Sequence, residues 1–345
     1  MRASTGEHVP DNKVKLDETD RLVAAALQVN GRATWGDIAR AINLPERTVT
    51  RRGQRLFARG LVRVSMYVDP MRALHARAVI LRIKTEDAEL WSVARTLARR
   101  ADASSVSVLE GSNDIAAMLL PRDEASVRSL LFKELPSIAG TKTINVTTVF
   151  KFFRSGHDWQ PDLLTASQAR MLDVPGPTEV DPADSLSKEE EQLITLLLRD
   201  GRMPVAQLAR SLGANITTTR RRMDSLAARG LMHPRTEVVP RVFGLGLEAL
   251  VWLRVPLAKL EEVGRALAAA PEIKFVVATT GTSQLLINVL VRNENAFYQF
   301  LTGPVFARYE GLEVVEALRI ITPVLRGALM VDEAPADIEG DATVG

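Results

Sequence analysis

The phrase TRRGQRLFARGLV at residues 50 to 62 returns as TRRRMDSLAARGLM at residues 219 to 232. Arg51 and Arg221, Leu56 and Leu226, Arg59 and Arg229, and Gly60 and Gly230 are each 170 positions apart. At that offset Leu16 to Val62 aligns without a gap on Leu186 to Met232. Gly31-Arg32 falls on Gly201-Arg202, Ile38-Ala39 on Leu208-Ala209, and Gly111 on Gly281. Solenoid repeats have periods of about 20 to 50 residues, so this one marks a duplicated multi-domain module. A chain of 345 residues has room for such a pair.

Each unit opens with three helical segments. In the first, Leu16, Leu22, Val23, Ala26 and Leu27 recur at helical spacing and stop at Asn30-Gly31. A short helix runs from about Thr34, an N-cap residue type, to Ile42. After the turn Asn43-Leu44-Pro45, a third helix spans about Glu46 to Ala58 and ends at Gly60. This is a helix-turn-helix pattern. A polar strand pair, about Leu61 to Val68, is expected to follow as a wing.

The later part of each unit reads βαββαβ. In the first unit the strands are Ala78 to Ile83, Ser104 to Leu109, Ile115 to Leu120 and Lys142 to Phe152, with helices over Asp87 to Arg100 and Glu124 to Leu135. In the second they are Ala249 to Val255, Ile273 to Thr279, Leu285 to Val291 and Glu313 to Ile321, with helices over Ala258 to Ala270 and Glu294 to Ala307. The expected fold class is α+β: two winged helix-turn-helix domains, each followed by a ferredoxin-like layer of helices on an antiparallel sheet. The expected boundaries are a flexible N-terminus 1–15, helix-turn-helix domains 16–65 and 186–236, βαββαβ domains 66–155 and 237–328, a linker 156–185 and an acidic flexible tail 329–345. The linker is rich in proline and acid, although Leu163 to Leu172 could form a short docked helix.

The formal net charge is only +2, so any nucleic-acid site must come from local clustering of charge. There is no cysteine, which excludes disulfides and thiol–metal sites. The four histidines, His8, His75, His157 and His233, have no metal-ligand spacing. No apolar run is long enough to span a bilayer, and no nucleophile motif or phosphate-cradling loop is present. These features fit a soluble cytoplasmic protein without a cofactor or a membrane partner.

Six arginines and one acid lie between Glu46 and Arg63. On a helical wheel Val49, Gly53, Leu56 and Phe57 face one side. Arg47, Thr48, Arg51, Gln54 and Arg55 face the other, flanked by Arg52. Guanidinium forks suit phosphates and the guanine edge, and glutamine suits adenine. Thr217, Thr218 and Arg221 occupy the equivalent face of the second copy, flanked by Arg220 and Arg222. Asp224 there replaces Gln54, and Ser225 replaces Arg55. The two helices are therefore expected to read different half-sites of double-stranded DNA, or the second to bind more weakly, with Arg32 and Arg202 on phosphates. A solvated arginine face is the bland alternative; the spacing, the scarcity of acid and the second copy weigh against it.

With these residues in view, the chain resembles the Lrp/AsnC, or feast/famine, family of transcriptional regulators. The match is carried by Leu16-Asp17-x-x-Asp20, Gly31-Arg32, Ile38-Ala39, Asn43-Leu44-Pro45 and Arg51 to Val62. In the second copy it is carried by Leu186-x-x-x-Glu190, Asp200-Gly201-Arg202, Leu208-Ala209 and Arg220 to Met232. The resemblance implies that the βαββαβ halves are effector-binding and oligomerisation (RAM) domains, and that the chain is a tandem duplication. It implies a small-molecule site near a Gly-x-x-Asp loop, which Gly111-Ser112-Asn113-Asp114 matches. Gly281-Thr282-Ser283-Gln284 keeps the glycine and loses the acid. An aspartate can pair with an amino acid's ammonium, so the effector is expected at Asp114. A plain hairpin turn is the alternative for both loops.

Family members dimerise through their βαββαβ sheets, and fusion would make that pairing intramolecular. The linker would reach roughly 30 Å as a coil, giving an effective concentration of the order of mM. One chain should then act as a pseudo-dimer and assemble further into homo-oligomers. The rival reading is a siroheme-decarboxylase-like enzyme of the same architecture, for which basic and histidine side chains should converge on a tetrapyrrole pocket. A third is a sensing module whose second half has lost DNA binding.

Overall fold

The computed structural model of the chain describes residues 15–68, 77–172, 186–199, 201–327 and 329–331. Residues 1–14, 173–185 and 332–345, which make up most of the expected flexible ends and the later linker, lie outside them, as do His8 and His75.

The first unit opens with α1 (Glu18–Val29), α2 (Trp35–Ile42) and α3 (Glu46–Ala58). Asp17 and Asp20 form a reciprocal capping box that starts α1. Thr34 caps α2, whose apolar side buries Ile38, Ala39, Ala41 and Ile42. Asn43 takes a left-handed conformation to turn the chain. Val49 and Leu56 of α3 are fully buried. Gly53 lies against the Trp35 ring so closely that a Cβ there would collide with it.

The wing departs from expectation. Among the described residues β1 (Val62–Val68) has no hairpin partner in its own unit. It pairs antiparallel with β6 (Met232–Val238) of the second unit, from Val62 opposite Val238 to Val68 opposite Met232. Ser65 lies opposite Arg235, its own equivalent at the 170-residue offset. A pseudo-two-fold axis therefore passes through the ribbon's centre. A lone strand leaves its backbone groups unpaired, and the other copy supplies the missing partner.

In the first βαββαβ half, β2 (Val79–Thr85), α4 (Leu90–Ala98), β3 (Ala103–Glu110), β4 (Ile115–Leu119), α5 (Glu124–Ser129) and β5 (Thr141–Arg154) follow in order. The described part of the linker, 156–172, forms α6 (Ala166–Leu172) and is docked. Leu172 joins the core of the first three helices, and Trp159 donates its indole N–H to Pro271 at 2.8 Å. The second unit repeats the plan as α7 (Lys188–Arg199), α8 (Val205–Ser211) and α9 (Ile216–Ala228), then β6. Its sheet half comprises β7 (Leu247–Arg254), α10 (Leu260–Ala268), β8 (Ile273–Thr279), β9 (Leu285–Val291), α11 (Glu294–Leu301), α12 (Pro304–Ala307) and β10 (Glu313–Arg326), trailed by β11 (Leu329–Met330).

The two sheets join edge to edge as well as packing face to face. Each 14-residue last strand serves both units. β5 pairs with β2 through Thr141 to Thr148, then with β8 through Val149 to Arg154. β10 pairs with β7 through Glu313 to Arg319, then with β3 through Arg319 to Arg326. The ring β10-β3-β4-β2-β5-β8-β9-β7 closes on itself, which removes the exposed edges of two separate sheets. Helices pack on both outer faces, against Leu81, Ile83 and Leu97 in one unit and Val251, Val263 and Leu267 in the other. Ile80, Ala116, Leu250, Trp252, Val277 and Leu286, from both units, fill the space between the sheets.

Candidate functional site

The helix-turn-helix domains meet through their Gly-Arg pairs. Arg32 donates to the carbonyls of Gly201 and, at 3.4 Å, Met203. Arg202 returns the arrangement, donating to Gly31 at 2.6 Å and Ala33 at 3.3 Å. Its guanidinium also lies 4.8 Å from the Trp35 ring centroid and 5.5 Å from that of Phe57. The glycines let the ribbon come close. A Cβ on Gly201 would sit 2.5 Å from the Ser65 backbone, and one on Gly31 would strike Thr236 and Val64. Arg32 and Arg202, expected on phosphates, each give two donors to carbonyls of the other unit.

Two more arginines have structural employment. Arg52 pairs with Asp17 at 2.7 Å and with fully buried Asp20 at 3.1 Å, and Arg55 reaches Asp20 at 2.5 Å. They tie α3 to α1, a task that the helical wheel did not show. In the second unit Arg229 takes over this task, pairing with Glu190 at 2.6 Å.

The remaining candidates stay on the surface. Arg47, Arg51 and Gln54 are exposed, with Thr48 half-buried beside them. Glu46, Arg47, Thr50, Arg51 and Gln54 line a groove along the outer side of α3. On α9, Thr217, Arg220, Arg221, Asp224 and Ser225 are exposed, with Thr218 and Arg222 half-buried. Asn215 caps α9 by accepting from the Thr218 N–H at 2.7 Å. Pro45, at the start of α3, gives no side-chain cap. Each unit thus presents a protruding helix whose outer side offers guanidinium, hydroxyl and, in the first unit, amide groups.

The two Gly-x-x-x loops close the strand pairs where the units meet. Gly111, at φ +137°, lies against Leu318 of the other unit, and a Cβ added at Gly281, at φ +99°, would sit 3.4 Å from Thr147. Ser112 donates to Glu316 and accepts from Asn113. Asp114 accepts from Lys84 Nζ at 2.6 Å, Thr85 N at 2.8 Å and Thr85 Oγ1 at 3.0 Å. Burial raises its carboxyl, but these donors hold it below the ordinary value. The expectation that its charge waits for an ammonium is corrected, because Lys84 already neutralises it. Gln284 accepts from Val255 N at 3.0 Å, Ser283 is buried, and Thr282 is exposed.

A cavity of about 140 Å³ lies between the sheets. Its apolar lining includes Ile80, Met118, Leu120, Leu250, Phe275 and Leu286. Its polar side holds Arg235, Glu248, Lys274 and Arg326. Arg326 donates to Glu248 at 2.6 Å, Lys274 reaches Glu237 at 3.3 Å, and Arg235 Nε reaches Glu237 at 2.7 Å. Burial pushes the Glu237 carboxyl up, yet Arg235, Lys274 and Arg326 hold it at about 2, below its ordinary 4.5. Burial lowers the Lys274 ammonium from its usual value, against the pull of Glu237. The sequence signal for this cluster is the difference between the copies, Glu248 against Ala78 and Lys274 against Ser104.

Among the described residues no group of three or more His, Cys, Asp or Glu could hold a metal ion. Nor is any helix there long and apolar enough to cross a membrane.

Comparison with known proteins adds the following. Residues 16–56 match the AsnC-type helix-turn-helix domain, residues 190–231 the winged helix-turn-helix DNA-binding domain, and residues 248–319 the Lrp/AsnC ligand binding domain. An uncharacterized HTH-type transcriptional regulator of Pyrococcus abyssi is 31% identical over 144 residues, covering 41% of this chain and 91% of the relative. One from Pyrococcus horikoshii is 29% identical, with the same coverage. A nearly whole relative thus corresponds to well under half of this chain, as a tandem duplication requires. The solved structure of the siroheme decarboxylase NirDL in complex with an iron-uroporphyrin III analogue covers 90% of this chain and 93% of its own, with TM-score 0.56 and 13% identity. At that identity the likeness concerns the fold alone.

Proposed function

The chain belongs to the Lrp/AsnC family of transcriptional regulators, and from that premise we propose that it binds double-stranded DNA as a single-chain pseudo-dimer with two unlike readers. The observation that carries this reading is the reciprocal locking of the two helix-turn-helix domains. The β1–β6 ribbon and the Arg32 and Arg202 bonds hold α3 and α9 in one fixed relation. One small reading helix gives little specificity by itself, and two at fixed spacing multiply it. Arg51 and Gln54 face the first half-site, and Arg221 and Asp224 the second, so the operator is asymmetric.

A small metabolite bound by the sheet domains adjusts DNA affinity or assembly, in keeping with the Lrp/AsnC ligand binding domain at residues 248–319. Coupling of this kind is typically ~1 to 3 kcal/mol. A mobility-shift titration tests the reading face. Arg51→Ala should weaken specific binding by about 1 to 3 kcal/mol; unchanged affinity would remove Arg51 from the reader.

The whole-chain likeness to NirDL raises a decarboxylase as the second reading. The 140 Å³ cavity is too small for a tetrapyrrole, since an engineered cavity of about 150 Å³ holds one benzene ring. The adjoining groove of about 800 Å³, which shares Glu248 and Arg326 with it and is lined by Arg59, Arg63, Arg241 and Arg319, is large enough, so volume does not separate the two readings. Among the described residues His157 is the one histidine in the lining of either. Protein that takes up iron-uroporphyrin stoichiometrically, with a shifted absorbance band, would favour the enzyme.

A further inference from the structure

The buried charges between the sheets belong to one unit. At the 170-residue offset, Arg235 corresponds to Ser65, Glu237 to Tyr67, Glu248 to Ala78 and Lys274 to Ser104. Arg326 corresponds to Ser155 once the β-bulge between Val314 and Glu316 is counted. Ser104 and Ser155 line the same cavity as Lys274 and Arg326. Two identical units around this axis would set each buried charge near its own copy, like against like, at high cost in a low-dielectric interior. Separate encoding of the units lets long charged side chains of one project into space left by small residues of the other. The cavity is therefore a product of the divergence between the copies.

Among the described residues its charge does not balance. Arg235, Lys274 and Arg326 bring three cations, and Glu237 and Glu248 bring two carboxylates, all of them largely buried. Both carboxylates are engaged by these cations, so neither is open to an ammonium group. Lys274 carries three N–H donors, and its bond to Glu237 is long at 3.3 Å. A surplus buried cation with donors to spare fits an anion. Most of the remaining lining is apolar and includes Ile80, Met118, Leu250, Phe275 and Leu286, beside Ser107 and Asn288. The volume suits a body of roughly six to nine non-hydrogen atoms, by comparison with the cavity that holds benzene.

We propose that this cavity is the effector site and that it takes a small monocarboxylic acid with an apolar body, its carboxylate held by Lys274 and Arg326. The proposal rests on the regulatory reading above and places the ligand in the interior rather than at the Asp114 loop. It also supplies a route to the DNA-binding domains. Glu237 lies on β6, the strand that pairs with β1 of the first helix-turn-helix domain. A carboxylate that competes for Lys274 loosens Glu237 and so acts on the ribbon between the readers.

Calorimetric titration of the full chain with butanoate, 4-methylpentanoate and benzoate, each beside its uncharged amide, tests this. At least one acid should bind saturably and its amide should not. Lys274→Met should weaken that acid about tenfold or more, whereas Lys274→Arg should retain it. Ala116→Leu narrows the apolar half and leaves every charge in place; it should weaken the same acid, and it keeps the test open if the Lys274→Met protein fails to fold. The proposal is overturned if wild type binds none of the acids, if binding survives both substitutions, or if Asp114→Asn alone abolishes it. A mobility-shift assay without any acid is independent: failure there removes the regulatory reading and leaves the cavity's chemistry standing.

Discussion

Replacing Arg202 with alanine separates docking of the two helix-turn-helix domains from contact with phosphate. The side chain gives two charge-assisted bonds, to Gly31 at 2.6 Å and Ala33 at 3.3 Å, and stacks over Trp35 and Phe57. Hydrogen bonds to a charged group contribute about 1.5 to 3 kcal/mol, and a half-desolvated cation over an aromatic face about 0.5 to 2 kcal/mol. The two bonds share one guanidinium and the second is long, so the whole is about 2 to 4 kcal/mol of docking free energy. Hydrogen exchange reads this directly, because the β1–β6 amides open when the domains part. Their protection should fall about 30-fold to about 1,000-fold. The salt dependence of DNA binding should keep its slope. Unchanged ribbon protection, together with a slope reduced by about one, would make Arg202 a phosphate contact and refute the reasoning.

Three further outcomes follow from other contacts. Gly201→Ala should destabilise the ribbon by about 1 to 3 kcal/mol, because a Cβ there would sit 2.5 Å from the Ser65 backbone; an unchanged melting temperature would contradict the close approach. Asp20→Ala should cost about 1 to 3 kcal/mol, because Arg55 loses its buried partner and the capping box opens while Arg52 keeps Asp17; a chemical melt of the full chain measures it. Glu237 titrates at about 2 in the folded chain against an ordinary 4.5, so its contribution is complete above pH 4.5 and is lost as pH falls towards 2. The melting temperature should drop across that window, less steeply in Glu237→Gln, and parallel curves for the two proteins would count against the buried ion pairs.

The duplication, both helix-turn-helix cores and the βαββαβ order were legible because they rest on periodicity and capping residues. Thr34 caps α2 where its residue type suggested. The wing was misread because a strand's partner is a matter of tertiary structure: Val62 to Val68 reads alike whether its mate is local or in the other unit. The Gly-Arg pairs were visible as a repeated phrase, but their role was not. An arginine beside a helix end looks the same whether it reaches phosphate or a carbonyl in a neighbouring domain. Arg52 and Arg55 were drawn away from the reading face by Asp20, whose burial no wheel of α3 could reveal. The cavity cluster had a signal that went unused. Glu248 and Lys274 are charges in otherwise apolar strands where the other copy has Ala78 and Ser104, and comparing the copies position by position exposes that difference.

The central claim is that one chain presents two unlike readers in a fixed relation. Selection of bound duplexes from a random pool by the purified full chain, with the mass of the selected complex, tests it most directly. The account requires a bipartite site with unlike halves, centred about one helical turn or a multiple apart, and one chain for each pair of half-sites. A perfectly palindromic site that needs a separate chain on each half, or a pool with no enrichment, would contradict it.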